Sequence, residues 1–325
     1  FGNNRRPQSE FKYTDLSEMF PGYKYEFGKS TYRGEETGEG GYVYSEPGIY
    51  YNVALLDVAS MHPSSIEALD MFGPYTQRFS EIKQARVCVK HYDLEGLKTK
   101  LNGELLNYIP KEDSPDYKEF MTELAYALKI VINSVYGLTS ARFENPFKDP
   151  RNVDNIVAKR GALFMINLKH EVWKKGYKVA HIKTDSIKIP DADPEIIKFV
   201  MEYGKKYGYT FEHEATYAKM CLVNDAVYIA KYAKAEACQE LYSYVPDDCK
   251  KHGGEWTATG AEFAVPYIFK TLFSHEPIDF EDLCETKSVS SGSALYLDMN
   301  EDVCEHLPEI EKDKKRIENR YKNAV

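Results

Sequence analysis

The feature that most constrains the fold is an apolar run that delivers a carboxylate and is followed closely by a proline. The run covers residues 53–58 and carries Asp57 near its end, and His62-Pro63 follows. A short apolar run predicts a buried strand, and Pro63 suits the first turn of a helix. Burying an ionised aspartate costs free energy unless a positive group compensates it. Asp57 therefore either caps the next helix or faces a cation such as a metal ion.

A second carboxylate is predicted at the tip of a hairpin. Residues 177–183 and 186–189 are two strand-like runs around the tight turn Thr184-Asp185. A turn aspartate often hydrogen-bonds its own backbone. Asp185 therefore has either that structural role or a functional one.

Residues 116–136 predict a long helix with two distinct faces. Its apolar positions follow helical spacing: Leu124, Leu128, Val131 and Val135. A second face presents Lys129, Asn133 and Tyr136. Such a polar face is most often solvated. A row of one cation, one amide and one phenol that is followed directly by a glycine is a more specific pattern than an ordinary solvated face. Gly137 is expected to end the helix in the left-handed conformation.

The remaining chain predicts alternating helices and strands without an internal repeat. The predicted elements are an edge strand at 42–44, helices at 152–175 (stopped by Gly176), 191–207, 260–273 and 309–321, strands at 209–213 and 220–231, and a polar segment at 234–254. This mixture predicts the α/β (α+β) class.

Composition excludes several classes of protein. There is no apolar run long enough for a membrane span, and the six cysteines contain no CxxC pair. We therefore expect a reduced, cytoplasmic protein that has no membrane partner. A formal net charge of −9 argues against a protein that simply coats nucleic acid. It does not exclude an enzyme with a local basic channel.

Three segments resemble the polymerase motifs of family B (alpha-like) DNA polymerases, of phage or viral type. They are Asp57-x-x-Ser-Met-His-Pro-Ser-Ser-Ile, Lys129-x3-Asn133-Ser-x-Tyr136-Gly and Lys183-Thr184-Asp185-Ser186, and they occur in the family's order. The second motif is the most specific. Gly40-Gly41 resembles the family's segment between exonuclease and polymerase domains, and Tyr228 to Lys231 resembles the strand that holds the primer end.

The resemblance implies a right-hand polymerase fold with an antiparallel-sheet palm, helical fingers and a small thumb. Its expected parts are a lead-in at 1–50, the palm at 51–75 and 138–254, the fingers at 76–137, and a small or truncated thumb-like region at 255–325. An exonuclease region is expected to be separate or missing. Asp93-Leu94-Glu95 imitates an exonuclease Asp-x-Glu, but we expect it to be an exposed helix start.

The resemblance also implies a DNA-directed DNA polymerase that adds deoxynucleotides to a primer by two-metal-ion catalysis. Asp57, Asp185 and the backbone carbonyl of Val58 would hold two Mg²⁺ ions, for which Mn²⁺ could substitute. The implied nucleotide-binding residues are Ser60, Met61 and His62 (through backbone amides), Lys129 (the triphosphate), Asn133, Tyr136 and Thr184. The implied contacts with primer–template DNA are Gly40, Gly41, Tyr228 and Lys231. For a viral protein the location would be the host cytoplasm.

Two positions depart from the family's pattern. Lys183 stands where the family usually has an aspartate, and His62 stands where it usually has a tyrosine that excludes the 2′-hydroxyl of ribonucleotides. Lys183 and the acidic charge favour one alternative, a catalytically degenerate chain that binds DNA as a structural subunit. A reverse transcriptase or RNA polymerase would also use two carboxylates, but would not predict the Lys129-to-Gly137 motif.

Overall fold

The structure, a computed structural model, describes residues 16–26, 29–38, 40–141, 143–145, 147–148, 155–259 and 277. Apart from Pro277, these residues belong to the first of two units, Phe1–Gly260 and Ala261–Val325. The predicted helices at 260–273 and 309–321 and the start of the helix predicted at 152 lie outside the described residues.

The described part of the chain contains helices and strands in roughly equal number. The strands are β1 Lys24–Glu26, β2 Lys29–Tyr32, β3 Glu35–Thr37, β4 Val43–Ser45, β5 Gly48–Val58, β6 His181–Lys183, β7 Ser186–Ile189, β8 Phe211–Leu222, β9 Tyr228–Tyr232 and β10 Trp256–Thr259. The helices are α1 Leu16–Met19, α2 Met61–Ala68, α3 Thr76–Lys90, α4 Leu94–Lys98, α5 Tyr117–Thr139, α6 Ile156–Lys174, α7 Pro194–Lys206, α8 Ala235–Tyr242 and α9 Asp247–His252, with 3-10 turns at Gly73–Tyr75 and Leu101–Asn107. Within this part of the chain, no helix has the length and apolar character needed to cross a membrane.

The main sheet has the strand order β10-β9-β8-β5-β7-β6-β4, and every neighbouring pair is antiparallel. The strand predicted from the apolar run is β5, which lies between β7 and β8 and begins earlier, at Gly48. A smaller antiparallel sheet contains β1, β2 and β3. The chain is therefore a mixed α+β protein, and β4 is an edge strand of the main sheet, as predicted.

The principal core lies under one face of this sheet. Ile182, Ile187 and Ile189 of β6 and β7 are fully buried, and α6 is buried along nearly its whole length, from Ile156 to Lys169. Each such isoleucine contributes about 1.5–3 kcal/mol relative to an exposed one. The alternate positions of the same strands point to the other face of the sheet, where the polar side chains collect.

A second, smaller core lies away from the sheet. Its buried members come from α3, α4, the second 3-10 turn and α5: Ala85, Val89, Leu97, Leu101, Tyr117, Met121 and Leu128. Helix α5 passes from one core to the other, because Leu128 belongs to the smaller cluster and Ile132 to the principal one.

Helix α5 differs from the prediction at its end and in its buried face. It continues through Gly137 to Thr139, so this glycine does not end it. The buried positions include Met121, Leu128 and Ile132, whereas Val131 is 47% exposed. The difference arises because α5 packs against two cores in succession, and a single apolar stripe does not describe both contacts.

The polar end of the sheet also differs from the prediction. The two strands predicted at 209–213 and 220–231 are one long strand, β8, followed by a turn at residues 223–227 and the separate strand β9. In that turn, Asn224 Oδ1 accepts hydrogen bonds from the Ala226 and Val227 amides, both at 2.9 Å. The segment predicted only as polar contains α8 and α9, which bury Cys238 and Cys249.

Candidate active site

The two predicted carboxylates lie on adjacent strands. Asp57, near the end of β5, pairs with Ser186 at the start of β7, and Asp185 immediately precedes that strand. The backbone amide of Val58 donates a hydrogen bond to the Asp185 carbonyl at 2.8 Å. Asp57 does not cap α2, because the residue at the cap position is Ser60, and no side chain accepts a hydrogen bond there. The fold therefore brings Asp57 and Asp185 together although they are far apart in sequence.

Negative charge is crowded around these two carboxylates. Burial, followed by the charges of Asp185, Glu214 and Glu212, raises the pKa of Asp57 to about 8, and Lys188 opposes this shift. Burial also raises the pKa of Asp185. A hydrogen bond involving its own backbone and the nearby charges of His62, Lys188 and Lys129 partly offset that change. The turn role predicted for Asp185 is therefore present alongside its place next to Asp57.

Such a pair of carboxylates suits a divalent cation chemically. Oxygen donors are the ligands that Mg²⁺ prefers, and it commonly takes only one or two carboxylates from the protein. The described residues contain no cluster of three or more His, Cys, Asp and Glu side chains placed to hold a metal. The predicted donor set is smaller than such a cluster, since it consists of Asp57, Asp185 and the carbonyl of Val58.

The turn between β5 and α2 places His62 beside the carboxylates. Ser60 has a left-handed backbone (φ 56°), after which Met61 and His62 form the first turn of α2. The His62 ring stacks on the Tyr136 ring, with the centroids 4.4 Å apart. Burial lowers the pKa of His62, and the Asp185 charge opposes that shift. The buried His62 Nδ1 has no hydrogen-bond partner among the described residues.

The predicted polar face of α5 is turned toward this site at its C-terminal end. Lys129 and Asn133 are exposed and Tyr136 is partly buried. The hydroxyl of Tyr136 donates a hydrogen bond to Asn155 Oδ1 at 3.3 Å. Lys129 lies close enough to Asp185 for its charge to act on that carboxyl. A row of polar residues predicted from spacing thus borders the carboxylate pair.

Met61 has a different position from its two neighbours in the turn. Its side chain is 3% exposed and packs against Gly161 of α6, where an added Cβ would lie 2.7 Å from the Met61 sulfur. The side chain of Met61 therefore anchors α2 to the core, and only its backbone remains available to a ligand.

The two glycines predicted as DNA contacts have different surroundings. A Cβ added at Gly41 would lie 2.5 Å from Thr184 Oγ1, whereas one added at Gly40 would meet nothing within 4 Å. The Thr184 amide also donates a hydrogen bond to the Tyr42 carbonyl at 2.8 Å. Gly41 thus allows the turn that carries Asp185 to pack closely on the β4 segment.

The two residues predicted on the primer-holding strand, Tyr228 and Lys231, also differ in their position relative to the carboxylate pair. Tyr228 is 8% exposed and lines a cavity that Asp57 also lines. The Lys231 ammonium lies 4.9 Å from the centre of the Trp256 ring and does not line that cavity. The fold therefore brings Tyr228, but not Lys231, next to the carboxylate pair.

Sequence reasoning missed two charged residues of this site, Lys188 and Glu214. Lys188 follows the alternation of β7, in which Ser186 and Lys188 point to one face and Ile187 and Ile189 to the other. That signal was visible in the sequence. Glu214 reaches the site through an irregularity in strand pairing, for which the sequence has no clear signal.

Asp93 is outside this site, as predicted. It caps the short helix α4, where its carboxylate accepts a hydrogen bond from the Gly96 amide at 2.8 Å.

No family model and no curated protein matches the chain. Among solved structures, the chain is similar to the family B DNA polymerase of the hyperthermophilic archaeon Pyrobaculum calidifontis, with 17% sequence identity and a TM-score of 0.38. The match covers 58% of this chain and 26% of that polymerase, so it spans about a quarter of the archaeal protein. A likeness of this size establishes neither a shared family nor a shared fold.

Proposed function

We propose that this chain is the polymerase core of a DNA-directed DNA polymerase, with primer–template DNA and deoxynucleoside triphosphates as its substrates. The observation that carries the proposal is the meeting of Asp57 and Asp185 on adjacent strands. These are the two residues that the motif resemblance assigns to catalysis, and their order and spacing in the sequence do not by themselves require them to meet.

The crowding of carboxylates supports a role for Mg²⁺ at this point. Asp57, Asp185 and the Val58 carbonyl are the groups that would hold it, and a bound cation would remove the electrostatic cost of two ionised neighbours. Divalent ions in such sites stabilise the charge that develops during in-line phosphoryl transfer. Mn²⁺ prefers similar oxygen ligands and would substitute for Mg²⁺.

The surrounding residues have complementary tasks in this proposal. Lys129 binds the triphosphate, because a charge-assisted contact to phosphate is among the stronger polar interactions. His62 and Tyr136, stacked on each other, form one wall of the nucleotide pocket, and Asn133 borders it. The amides of the Ser60–His62 turn donate to phosphate oxygens in this proposal. Thr184 and Gly41 fix the turn that carries Asp185, and Tyr228 lies on the primer side.

The experiment is primer extension by the wild type, Asp57→Asn and Asp185→Asn, with Mg²⁺ or Mn²⁺. Each substitution keeps the side-chain shape and removes a charge. We expect extension to fall at least about 100-fold, the size typical of losing one group that stabilises transition-state charge. Asp93→Asn is the matched control, because Asn caps a helix as well as Asp does, and it should leave extension unchanged.

Failure of the wild type to extend primers while it still binds primer–template DNA would contradict the proposal. That outcome would instead favour the structural DNA-binding subunit. Equal extension by all four proteins would place the catalytic groups elsewhere.

A further inference from the structure

A cavity of about 190 Å³ opens beside Asp57 on the polar face of the main sheet. Its floor and walls come from six strands and the turn that precedes β9, and its acidic and basic lining residues are Asp57, His181, Lys183, Lys188 and Glu214. Tyr228 and Thr259 add polar groups on the side of β9 and β10. The function proposed above assigns no role to Lys183, Lys188 or Glu214.

Lys188 is a fixed cation at the base of this cavity. It is 3% exposed, and its ammonium lies 3.1 Å from His181 Nδ1 and 4.9 Å from the centre of the Tyr228 ring. His181 Nε2 lies 2.9 Å from the Asp225 carbonyl. Because that carbonyl can only accept, the His181 Nε2–H donates to it, and Nδ1 is left to accept from Lys188. The network holds the charge of Lys188 in one place.

Glu214 enters the cavity because the strand pairing is irregular there. Leu55 of β5 pairs with Ala215, whereas the next residue, Leu56, pairs with His213. Glu214 is therefore an extra residue in β8, and a bulge of this kind re-aims a side chain. The carboxyl groups of Glu214 and Asp57 thus share the cavity lining with two lysines, Lys188 at the base and Lys183.

Lys183 differs from Lys188 because it lies at the rim and is exposed. Within the described part of the chain, no carboxylate forms an ion pair with its side chain. Lys183 is also the residue that stands in place of the family's usual aspartate. An exposed, unpaired ammonium at the rim of a cavity is available to an anionic ligand.

The cavity is separate from the nucleotide contacts predicted on α2 and α5. Asp57 lines it, whereas none of those contacts on the two helices, His62 and Lys129 among them, is a lining residue. In an in-line transfer the triphosphate and the attacking primer end approach the metal-binding groups from different directions. The side that holds Lys183 and Tyr228 is then the side of the primer.

We propose that this cavity receives the primer strand next to its reacting end, and that Lys183 contacts one of its phosphodiesters. The inference rests on the proposed function and deepens it, since it gives Lys183 a DNA-binding role in place of a lost catalytic one. A lysine at this point neutralises one phosphate without reading the base, so the contact fixes position and not sequence.

The test measures the binding of a primer–template duplex by fluorescence anisotropy between low and moderate salt, with EDTA and without nucleotide. The proteins are the wild type, Lys183→Gln, Lys183→Arg and Lys198→Gln. Lys198 is the matched control, an exposed lysine on α7 that does not line the cavity. We expect Lys183→Gln to reduce the salt slope by about one, as for a single lost phosphate contact. Its Kd at low salt should rise about tenfold.

Two further measurements locate the contact on the primer. Lys183→Arg should retain the wild-type slope, because it keeps the charge. The effect of Lys183→Gln should disappear when the template strand is offered without a primer. The KM for the incoming deoxynucleotide should stay unchanged in a primer-extension assay, because Lys129 makes the triphosphate contact.

Several results would overturn the inference. One is a salt slope for Lys183→Gln equal to that of Lys198→Gln. A second is that Lys183→Gln weakens binding of the template strand alone as much as it weakens binding of the primer–template duplex. A third is a raised nucleotide KM with unchanged duplex binding. The binding assay requires no catalysis. A Lys183-dependent slope in a protein that fails to extend primers would therefore support this contact while contradicting the proposed polymerase activity.

Discussion

At the scale of single residues, Asp57 illustrates a conflict between stability and the proposed activity. Its pKa of about 8 in the folded protein is above its usual value of 3.8. Between these two values the folded protein holds a proton that the unfolded chain has lost. A rise in pH across this range therefore favours unfolding. Without a bound cation, the folded protein is expected to be least stable at the pH values at which the Asp57 carboxylate is ionised.

Asp57→Asn should therefore stabilise the metal-free protein, and increasingly so as the pH rises. The difference in the free energy of unfolding between variant and wild type (the gap) should grow by up to about 1.4 kcal/mol per pH unit. The growth is smaller where water screens the partly exposed side chain. Urea unfolding in EDTA at pH 5 and pH 8 measures the gap, with Asp93→Asn as control. Added Mg²⁺ should narrow the gap by binding the folded wild type. A gap that does not change with pH would contradict the pKa shift.

His62 is a second residue whose surroundings suggest a measurable effect. A Tyr at this position would extend the ring that now stacks on Tyr136 and would crowd the sugar of an incoming nucleotide. We expect His62→Tyr to raise the preference for deoxynucleotides over ribonucleotides by about tenfold or more, the usual range for steric discrimination in a pocket. The measurement is the ratio of kcat/KM for dATP and ATP. His91→Tyr, the same change at an exposed position on the surface, should leave the ratio unchanged, and an unchanged ratio in both variants would mean that His62 does not contact the sugar.

At the scale of elements, the sequence predicted what depends on local patterns. The apolar run of β5, the turn at Thr184-Asp185 and the stop of α6 before Gly176 (φ 87°) are all present. The predicted end of α5 at Gly137 was wrong, because a glycine in an open environment can continue a helix as well as end one. The bulge at Glu214 was not predicted because it depends on how β8 pairs with β5. The register of that pairing cannot be derived from the sequence of either strand alone.

The turn between β6 and β7 is the element where a small change should have the clearest effect. Thr184 is β-branched and has a left-handed backbone (φ 56°), a costly combination, and its side chain fills the space beside Gly41. Gly41→Ala should destabilise the protein by about 1–3 kcal/mol through overpacking. The double variant Gly41→Ala/Thr184→Gly should recover most of that loss, because glycine removes the clashing atoms and accepts the backbone conformation.

Urea unfolding of Gly41→Ala, Thr184→Gly and the double variant completes this mutant cycle. Purely additive effects would show that the two residues do not interact. Gly40→Ala is the control, because an added Cβ there meets nothing within 4 Å, and its stability should match the wild type.

At the scale of the whole described molecule, the two cores should open independently. Met121 is 1% exposed in the smaller cluster, and Ile187 is fully buried in the principal one. Met121→Ala and Ile187→Ala should each cost about 2–5 kcal/mol of local stability. Hydrogen exchange should show faster exchange of α3 and α4 in Met121→Ala with β5 and β7 unaffected. Ile187→Ala should loosen the sheet strands. Equal loosening of both regions by Met121→Ala would mean that the cores unfold as one unit.

Helix α5 has a mechanical consequence because it crosses both cores without a break. From Gly137 back to Tyr117 it measures about 30 Å at the usual helical rise, and Tyr136, which stacks on His62, directly precedes the glycine. A rotation of about 10° at Gly137 would move the far end, and the smaller core attached to it, by roughly 5 Å. The backbone is easiest to bend at a glycine, and an added Cβ at Gly137 meets nothing within 4 Å. A substitution of Gly137 to alanine would therefore stiffen the helix at this point without disturbing its surroundings. A change in activity in that variant could then be assigned to the bending of α5 and not to a lost contact in the site.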